Sequence, residues 1–280
     1  MNYPTLAQLY SQQKDKYKAF LFDIDGTVLL MNSVIPGADR FLEILKKDKV
    51  PFYFLTNNCA QTHEEIAARL TKAGIPAEPD QIISSGDHVP KYFKRNNTTG
   101  KAWKYFLVGR ANDIPGVVEF EKDPEKIMEC DGVLHNAGLY DWRIVLTAIL
   151  NFYLKFPEKP LIVTNGDFLN PVEDGKVTIC SNGQMDLVIS LLKRCGIEKE
   201  RVHFGKPYAP IYEEVEEKLN EIGVSKENTY AVGDWLNSDV YGANLAGIHS
   251  CLVLTGLSTT EDIEAKGPEY HPELIVSTLI

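Results

Sequence analysis

Residues 18–30 read "KAFLFDIDGTVLL". The apolar run up to Phe22 has the composition of a strand buried on both faces of a parallel sheet. It then meets Asp23 and Asp25, one residue apart, and Gly26 breaks the pattern. A buried carboxylate is costly unless it is paired, hydrogen-bonded or bound to a metal. Side chains along a strand repeat every two residues, so both carboxylates share one face if the strand continues that far. In open parallel sheets ligands bind beyond the carboxyl ends of the strands, which is where this pair falls. Two like charges so close call for a cation, and a hard oxygen site suits Mg²⁺. A second reading stays open: Asp-Gly is a favoured hairpin turn, flanked here by "FLFDI" and "TVLL". The two readings are compatible, since a hairpin can follow the carboxylates directly.

Working outward, strand and helix signals alternate. Helical spacing of Phe41, Leu42 and Leu45 follows Pro36, and "PFYFLTNN" reads as a second buried strand ending at Thr56. Thr62 and Glu65 form a capping box, and Gly74 with Pro76 closes the helix they open. "QIISS" and "DHVPKYFKR" add a strand and a helix. After the polar break at 96–101 a new cycle begins, with "WKYFLVGR", "GVLHNAG" and "PLIVTNG" as strands and "WRIVLTAILNFYLKF" and "QMDLVISLLKRC" as helices. From "RVHFGKP" the first rhythm resumes through "IYEEVEEKLNEIG", "TYAVGDW", "SDVYGANLAG" and "HSCLVLTG". This predicts an α/β fold: a doubly wound parallel-sheet core, residues 1–98 and 201–280, split by an inserted α/β domain at 99–200.

Three more motifs fall at predicted strand ends. In "FLTNN", Thr56 supplies a hydroxyl, Asn57 and Asn58 supply amides, and a loop before a helix presents backbone N–H groups that suit a phosphate. In "FGKP", Lys206 sits in a constrained turn that aims its ammonium at a fixed point. In "YAVGDWLNSD", Asp234 is placed to complete a metal site, and Asp239 to orient a neighbour as an outer carboxylate. Taken singly, each has a structural reading: a turn cap, a solvated lysine, or helix-capping aspartates. Together they supply a nucleophile, a metal site and a phosphate cradle in one sheet.

In this order, D-x-D-G-T, T-N-N, G-K-P and G-D-x4-D resemble the four motifs of the haloacid dehalogenase (HAD) superfamily phosphatases. The long insert between "TNN" and "GKP" resembles the C2-type cap of subclass IIA, which holds the NagD-like and p-nitrophenyl phosphatases, and "TNGD" at 164–167 resembles an element of that cap. Trp235 is bulky for its position, and residues 168–186 follow the family's cap loop only loosely. The resemblance implies a Rossmann-like core and a Mg²⁺-dependent phosphomonoester hydrolase. Asp23 would attack phosphorus to form an aspartyl-phosphate, and Asp25 would carry protons. Thr56, Asn57 and Lys206 would hold phosphate oxygens. The metal would be held by the Asp23 carboxylate, the Asp25 backbone carbonyl and Asp234, with Asp239 and Gly26 as supporting residues. Asn165, Asp167 and Asn182 of the cap are candidates for reading the substrate, and His135 for facing the cleft. The alternatives are a phosphotransferase or phosphomutase on the same scaffold, or a catalytically silent phosphate-binding module. A homodimer through the cap is compatible with the family.

Composition sets outer bounds. The chain has 280 residues with 29 basic and 39 acidic side chains, a formal net charge of −10. That balance argues against general nucleic-acid or anionic-membrane binding, while leaving room for a small anionic substrate. Cys59, Cys130, Cys180, Cys195 and Cys251 are scattered, with no C-x-x-C or Cys/His cluster, so neither a disulfide framework nor a zinc site is expected. The first 18 residues lack the apolar core of a signal peptide, and no uncharged apolar run approaches about 20 residues, so a cytoplasmic protein is expected.

Overall fold

The computed structural model describes residues 3–280. Its first sheet has six parallel strands in the order Leu274–Val276, His249–Val253, Thr229–Gly233, Ala19–Phe22, Phe52–Thr56, Ile82–Ser84. The quoted stretch supplies a central strand, with Phe22 opposite Val232 on one side and Phe54 on the other. Its four residues are all buried because their side chains alternate between two filled layers. Phe20 and Phe22 join Phe41, Phe52, Phe54 and Tyr10 under the helices Leu6–Gln12, Ala38–Asp48 and His63–Ala73. Ala19 and Leu21 pack the other way, with Leu55, Ile83 and Ala231, against the helices Ala209–Glu221 and Tyr241–Ala246. Each fully buried Phe or Leu contributes about 1.5–3 kcal/mol, so the run anchors the sheet whose end carries the carboxylates.

The local signals behave as their chemistry dictates. Thr62 caps the helix His63–Ala73 with a reciprocal capping box to Glu65, and Gly74 ends it in a left-handed conformation. The strand ends at Phe22 rather than continuing, so Asp23 and Asp25 lie on a loop. A short hairpin, Leu29–Leu30 with Ser33–Val34, follows at once. The Asp-Gly pair is therefore not the hairpin's own turn.

The insert builds a second parallel sheet, Val202–His203, Leu161–Val163, Gly132–His135, Trp103–Val108, Val118–Glu121. On one face, Val145, Ile149 and Phe152 of the helix Trp142–Lys155 meet Met185, Val188 and Leu192 of the helix Ser181–Arg194. On the other face, Val89 and Phe93 of the helix His88–Asn96 pack with Tyr105, Leu107 and Leu134. Two details differ from the expected pattern. Val202–His203 pairs with Leu161–Val163 instead of resuming the first sheet, and Val118–Glu121 adds an edge strand beside Trp103–Val108. An antiparallel hairpin, Leu169–Pro171 with Val177–Ile179, projects from the insert. Among the described residues no helix is long and apolar enough to cross a membrane.

Candidate active site

The two central strands of the first sheet end side by side, and their next residues are acidic. Asp23 follows Ala19–Phe22 and Asp234 follows Thr229–Gly233, and the Asp23 backbone N–H donates to the Val232 carbonyl at 2.9 Å. Strand order reverses at this point, which opens the crevice that parallel sheets offer to ligands. Gly26 lets the chain leave steeply: its φ is +100°, and a Cβ there would lie 2.5 Å from Asp234 Oδ2. The loop after His249–Val253 closes the other side, with Leu257 N donating to Asp234 Oδ2 at 2.7 Å and Thr255 Oγ1 to the Gly26 carbonyl at 2.7 Å.

Lys206, only 2% exposed, is the cation at the centre. Its Nζ donates to Asp23 Oδ1 and to Asp239 Oδ1, both at 2.6 Å. Asp239 Oδ2 accepts from Trp235 N at 3.1 Å, so this carboxylate is fixed at both oxygens. Burial alone would lower the lysine's pKa, but the charges of Asp23, Asp239 and Asp167 raise it well above its ordinary value. Among the described residues, Asp23, Asp234 and Asp239 each bring a carboxylate oxygen within 4.8 Å of the others. Burial, with the charges of Asp239 and Asp234, pushes Asp23 well above the usual carboxylate range. Burial and Asp239 push Asp234 up to about 8. One ammonium does not balance these three clustered carboxylates, and a divalent cation would.

A cavity of about 240 Å³ opens over this cluster. Asp23, Asp25, Thr56, Asn57, Lys206, Asp234 and Asp239 all line it, so the four motifs converge, although not from one sheet as expected: Lys206 comes from the turn after Val202–His203 of the second sheet. Asp25 is not part of this three-carboxylate cluster, and its Oδ1 accepts a hydrogen bond from Arg69 Nη2. Thr56 Oγ1 accepts from Asn58 N at 3.0 Å, which leaves its own O–H free to donate.

The Asn57 side chain is committed within the protein. Its Oδ1 accepts from Lys206 N at 2.7 Å, and its Nδ2 donates to Asp167 Oδ1 at 2.8 Å and to the Lys206 carbonyl at 3.0 Å. Asn57 thus locks the lysine turn, and what it retains for a ligand is backbone N–H rather than side-chain amide.

Candidates from the insert divide. Asn165 and Asp167 line the cavity, but Asn165 Oδ1 accepts from Asp167 N at 2.7 Å and Asp167 Oδ1 also accepts from Ser238 Oγ at 2.9 Å. Asp167 therefore ties the insert to two core loops, and burial pushes its pKa up to about 6. Asn182 is fully buried and braces that loop, donating to the Gly166 carbonyl at 2.8 Å. His135 does not face the cavity; it is buried with its ring 2.8 Å from Tyr140 Oη, and burial lowers its pKa to about 4. The sequence reading did not single out Arg69, Ser238, Asn170, Pro171 or Thr178, all of which line the cavity. Leu169–Pro171 and Val177–Ile179 form its roof.

Two family models match the halves of the core: haloacid dehalogenase-like hydrolase over residues 20–115 and HAD-hydrolase-like over 203–280. The chain is 28% identical over 266 residues to a dihydroxyacetone phosphatase of Corynebacterium glutamicum, covering 93% of this chain and 89% of that one. A possible sugar phosphatase of the HAD superfamily from Cytophaga hutchinsonii superposes with a TM-score of 0.83 at 25% identity, over 100% of this chain and 99% of that one. The 4-nitrophenylphosphatase of Thermotoga maritima does so with a TM-score of 0.70 at 27% identity, over 95% of each. The ordered motifs, their convergence on one cavity and these likenesses lead to one assignment: the chain belongs to the haloacid dehalogenase-like hydrolases, in the subclass of the NagD-like and p-nitrophenyl phosphatases.

Proposed function

We propose that this protein is a Mg²⁺-dependent phosphomonoester hydrolase that acts on a small organic phosphate through an aspartyl-phosphate at Asp23. The observation that carries the reading is Asp23 held by Lys206 at the floor of the cavity, beside two further buried carboxylates. An Asp23 oxygen attacks phosphorus as the bond to the leaving oxygen breaks. Asp25 gives that oxygen its proton, then takes one from the water that attacks the phosphoenzyme and frees Asp23. General acid–base assistance of this kind is worth about 10²–10⁴-fold. The Thr56 hydroxyl, the Asn57 backbone N–H and the Lys206 ammonium are the candidate donors to the other phosphate oxygens, where most stabilisation of phosphoryl transfer arises.

The donor set fits a hard divalent cation: Asp23 and Asp234, with Asp239 beside them, and the Asp25 backbone carbonyl. Bound there, Mg²⁺ would supply charge neutralisation between an anionic nucleophile and an anionic substrate. A cation held there would favour the ionised form of Asp23 that attack requires.

A cavity of about 240 Å³, roofed by the insert, supports a substrate of few carbons. The names of the similar proteins, a dihydroxyacetone phosphatase and a possible sugar phosphatase, favour short polyhydroxylated phosphates. The insert would act as a cap that excludes water. A panel of triose, glycerol, sugar, nucleoside and aryl phosphates, assayed with Mg²⁺ and with EDTA, tests the proposal. Release of phosphate from small esters, lost in EDTA and restored by Mg²⁺, is expected. Metal-independent hydrolysis, or no hydrolysis by folded protein across the panel, overturns it.

A further inference from the structure

The structure assigns Arg69 a role beyond the family motifs: we propose that it positions Asp25 for proton transfer to the leaving group. The inference rests on the proposed phosphatase reading, in which Asp25 carries the proton. Arg69 lies in the helix His63–Ala73, beside Ile66, Ala67 and Leu70, which are buried against the core. Its guanidinium crosses to the Asp23–Asp25 loop, where Nη2 donates to Asp25 Oδ1. The two side chains are only 17% and 22% exposed, and both line the cavity. Among the described residues no other hydrogen bond to the Asp25 carboxylate is formed.

The two acids of the D-x-D pair are therefore held by different cations from different parts of the chain. Lys206 holds Asp23, and Arg69 holds Asp25. A general acid works only when its proton lies within hydrogen-bond reach of the departing oxygen. A guanidinium bonded to Oδ1 stops the carboxyl group from rotating and leaves Oδ2 as the oxygen that carries the proton. When the P–O bond breaks, the leaving oxygen keeps the electron pair and takes the proton from Oδ2, and the carboxylate that results is already paired. Hydrolysis of the phosphoenzyme then returns a proton from water to Oδ2.

A second observation points the same way. Arg69 Nε is buried and has no acceptor within the protein. A buried N–H without a partner is costly. On the wall of the cavity, an oxygen of the leaving group is an available acceptor, which would bring the substrate's departing end to the acid that serves it.

The test separates leaving groups. An aryl phosphate such as p-nitrophenyl phosphate departs as a stable phenolate and needs little protonation, whereas glycerol phosphate departs as an alkoxide and needs it fully. In Arg69→Gln, kcat/KM for glycerol phosphate, which reports the step that expels the leaving group and not the shared hydrolysis of the phosphoenzyme, should fall about 10²–10⁴-fold, with a loss under about tenfold for p-nitrophenyl phosphate. Asp25→Asn should show the same split, and the double variant should lose little more than either single one. Arg69→Lys keeps the charge without the planar fork and should fall between, which also carries the test if Arg69→Gln folds poorly. Equal losses of kcat/KM for both esters in folded Arg69 variants overturn the positioning role. A parent enzyme that hydrolyses no ester of the panel, these two included, overturns the phosphatase reading instead.

Discussion

Replacing Asp234 by Asn changes the charge of the site while keeping its shape. Asp234 is buried at the end of Thr229–Gly233, and burial with the charge of Asp239 pushes its pKa up from 3.8 to about 8 in the metal-free protein. In the unfolded chain the group loses its proton near pH 4. Between about pH 4 and 8 the folded, metal-free protein binds the extra proton, so its stability falls as pH rises through that window. A shift of this size amounts to on the order of 5 kcal/mol at the alkaline end. Asn can still accept the Leu257 N–H and carries no charge. Metal-free Asp234→Asn should therefore be more stable than the parent at pH 8, by up to that amount, and equal to it near pH 4. Urea unfolding in EDTA between pH 4 and 8.5 reads the difference directly. Adding Mg²⁺ should stabilise the parent at pH 8 far more than the variant, because ligation displaces the proton. A difference between variant and parent that does not change with pH, or a variant less stable than the parent at pH 8, would show that the Asp234 carboxylate is not destabilised by its burial.

Asp23→Asn should keep the fold and lose turnover, since the amide can accept from Lys206 but cannot attack phosphorus; a near-parental kcat would remove Asp23 from the nucleophile's role. Gly205→Ala would place a Cβ 2.3 Å from Asn57 Oδ1 and 2.8 Å from the Thr164 carbonyl. It should cost about 1–3 kcal/mol in a urea titration, and an unchanged midpoint would show that the turn has slack. His135 is kept neutral by burial, with a pKa of about 4. The unfolded chain takes up its proton near pH 6.5, so stability should drop by on the order of 3 kcal/mol as pH falls from there to about 4. His135→Gln should flatten that acid limb, and an identical limb in the variant would assign the loss to other groups.

Much of the core was legible because its signals are local. Alternation of Phe20 and Phe22 with Leu21 marks a strand that fills two layers, and Thr62 with Glu65 marks a helix start whatever surrounds it. The four motifs were legible because each sits where a predicted strand ends. What escaped depends on partners distant in sequence. Arg69 meets Asp25 across 44 residues, and Ser238 meets Asp167 across 71. Nothing in the spacing of either pair signals the contact. Asn57 reads in sequence as an amide for a ligand, yet the folded chain uses that amide to hold the Lys206 turn. Val118–Glu121 alternates apolar residues with glutamates at a sheet edge, a pattern as consistent with loop as with strand. Val202–His203 is two residues long, and its sheet is decided by the neighbouring backbone rather than by its own side chains.

In the proposed reaction Asp23 carries the phosphoryl group between substrate and water. Rapid acid quench of the enzyme turning over a labelled small phosphate ester with Mg²⁺, followed by borohydride reduction and peptide mass spectrometry, tests it most directly. An acid-stable phosphoenzyme is expected, whose reduction converts Asp23, and no other residue, to homoserine. Steady turnover with no trapped phosphoenzyme under any quench time, or conversion at a different carboxylate, would contradict it.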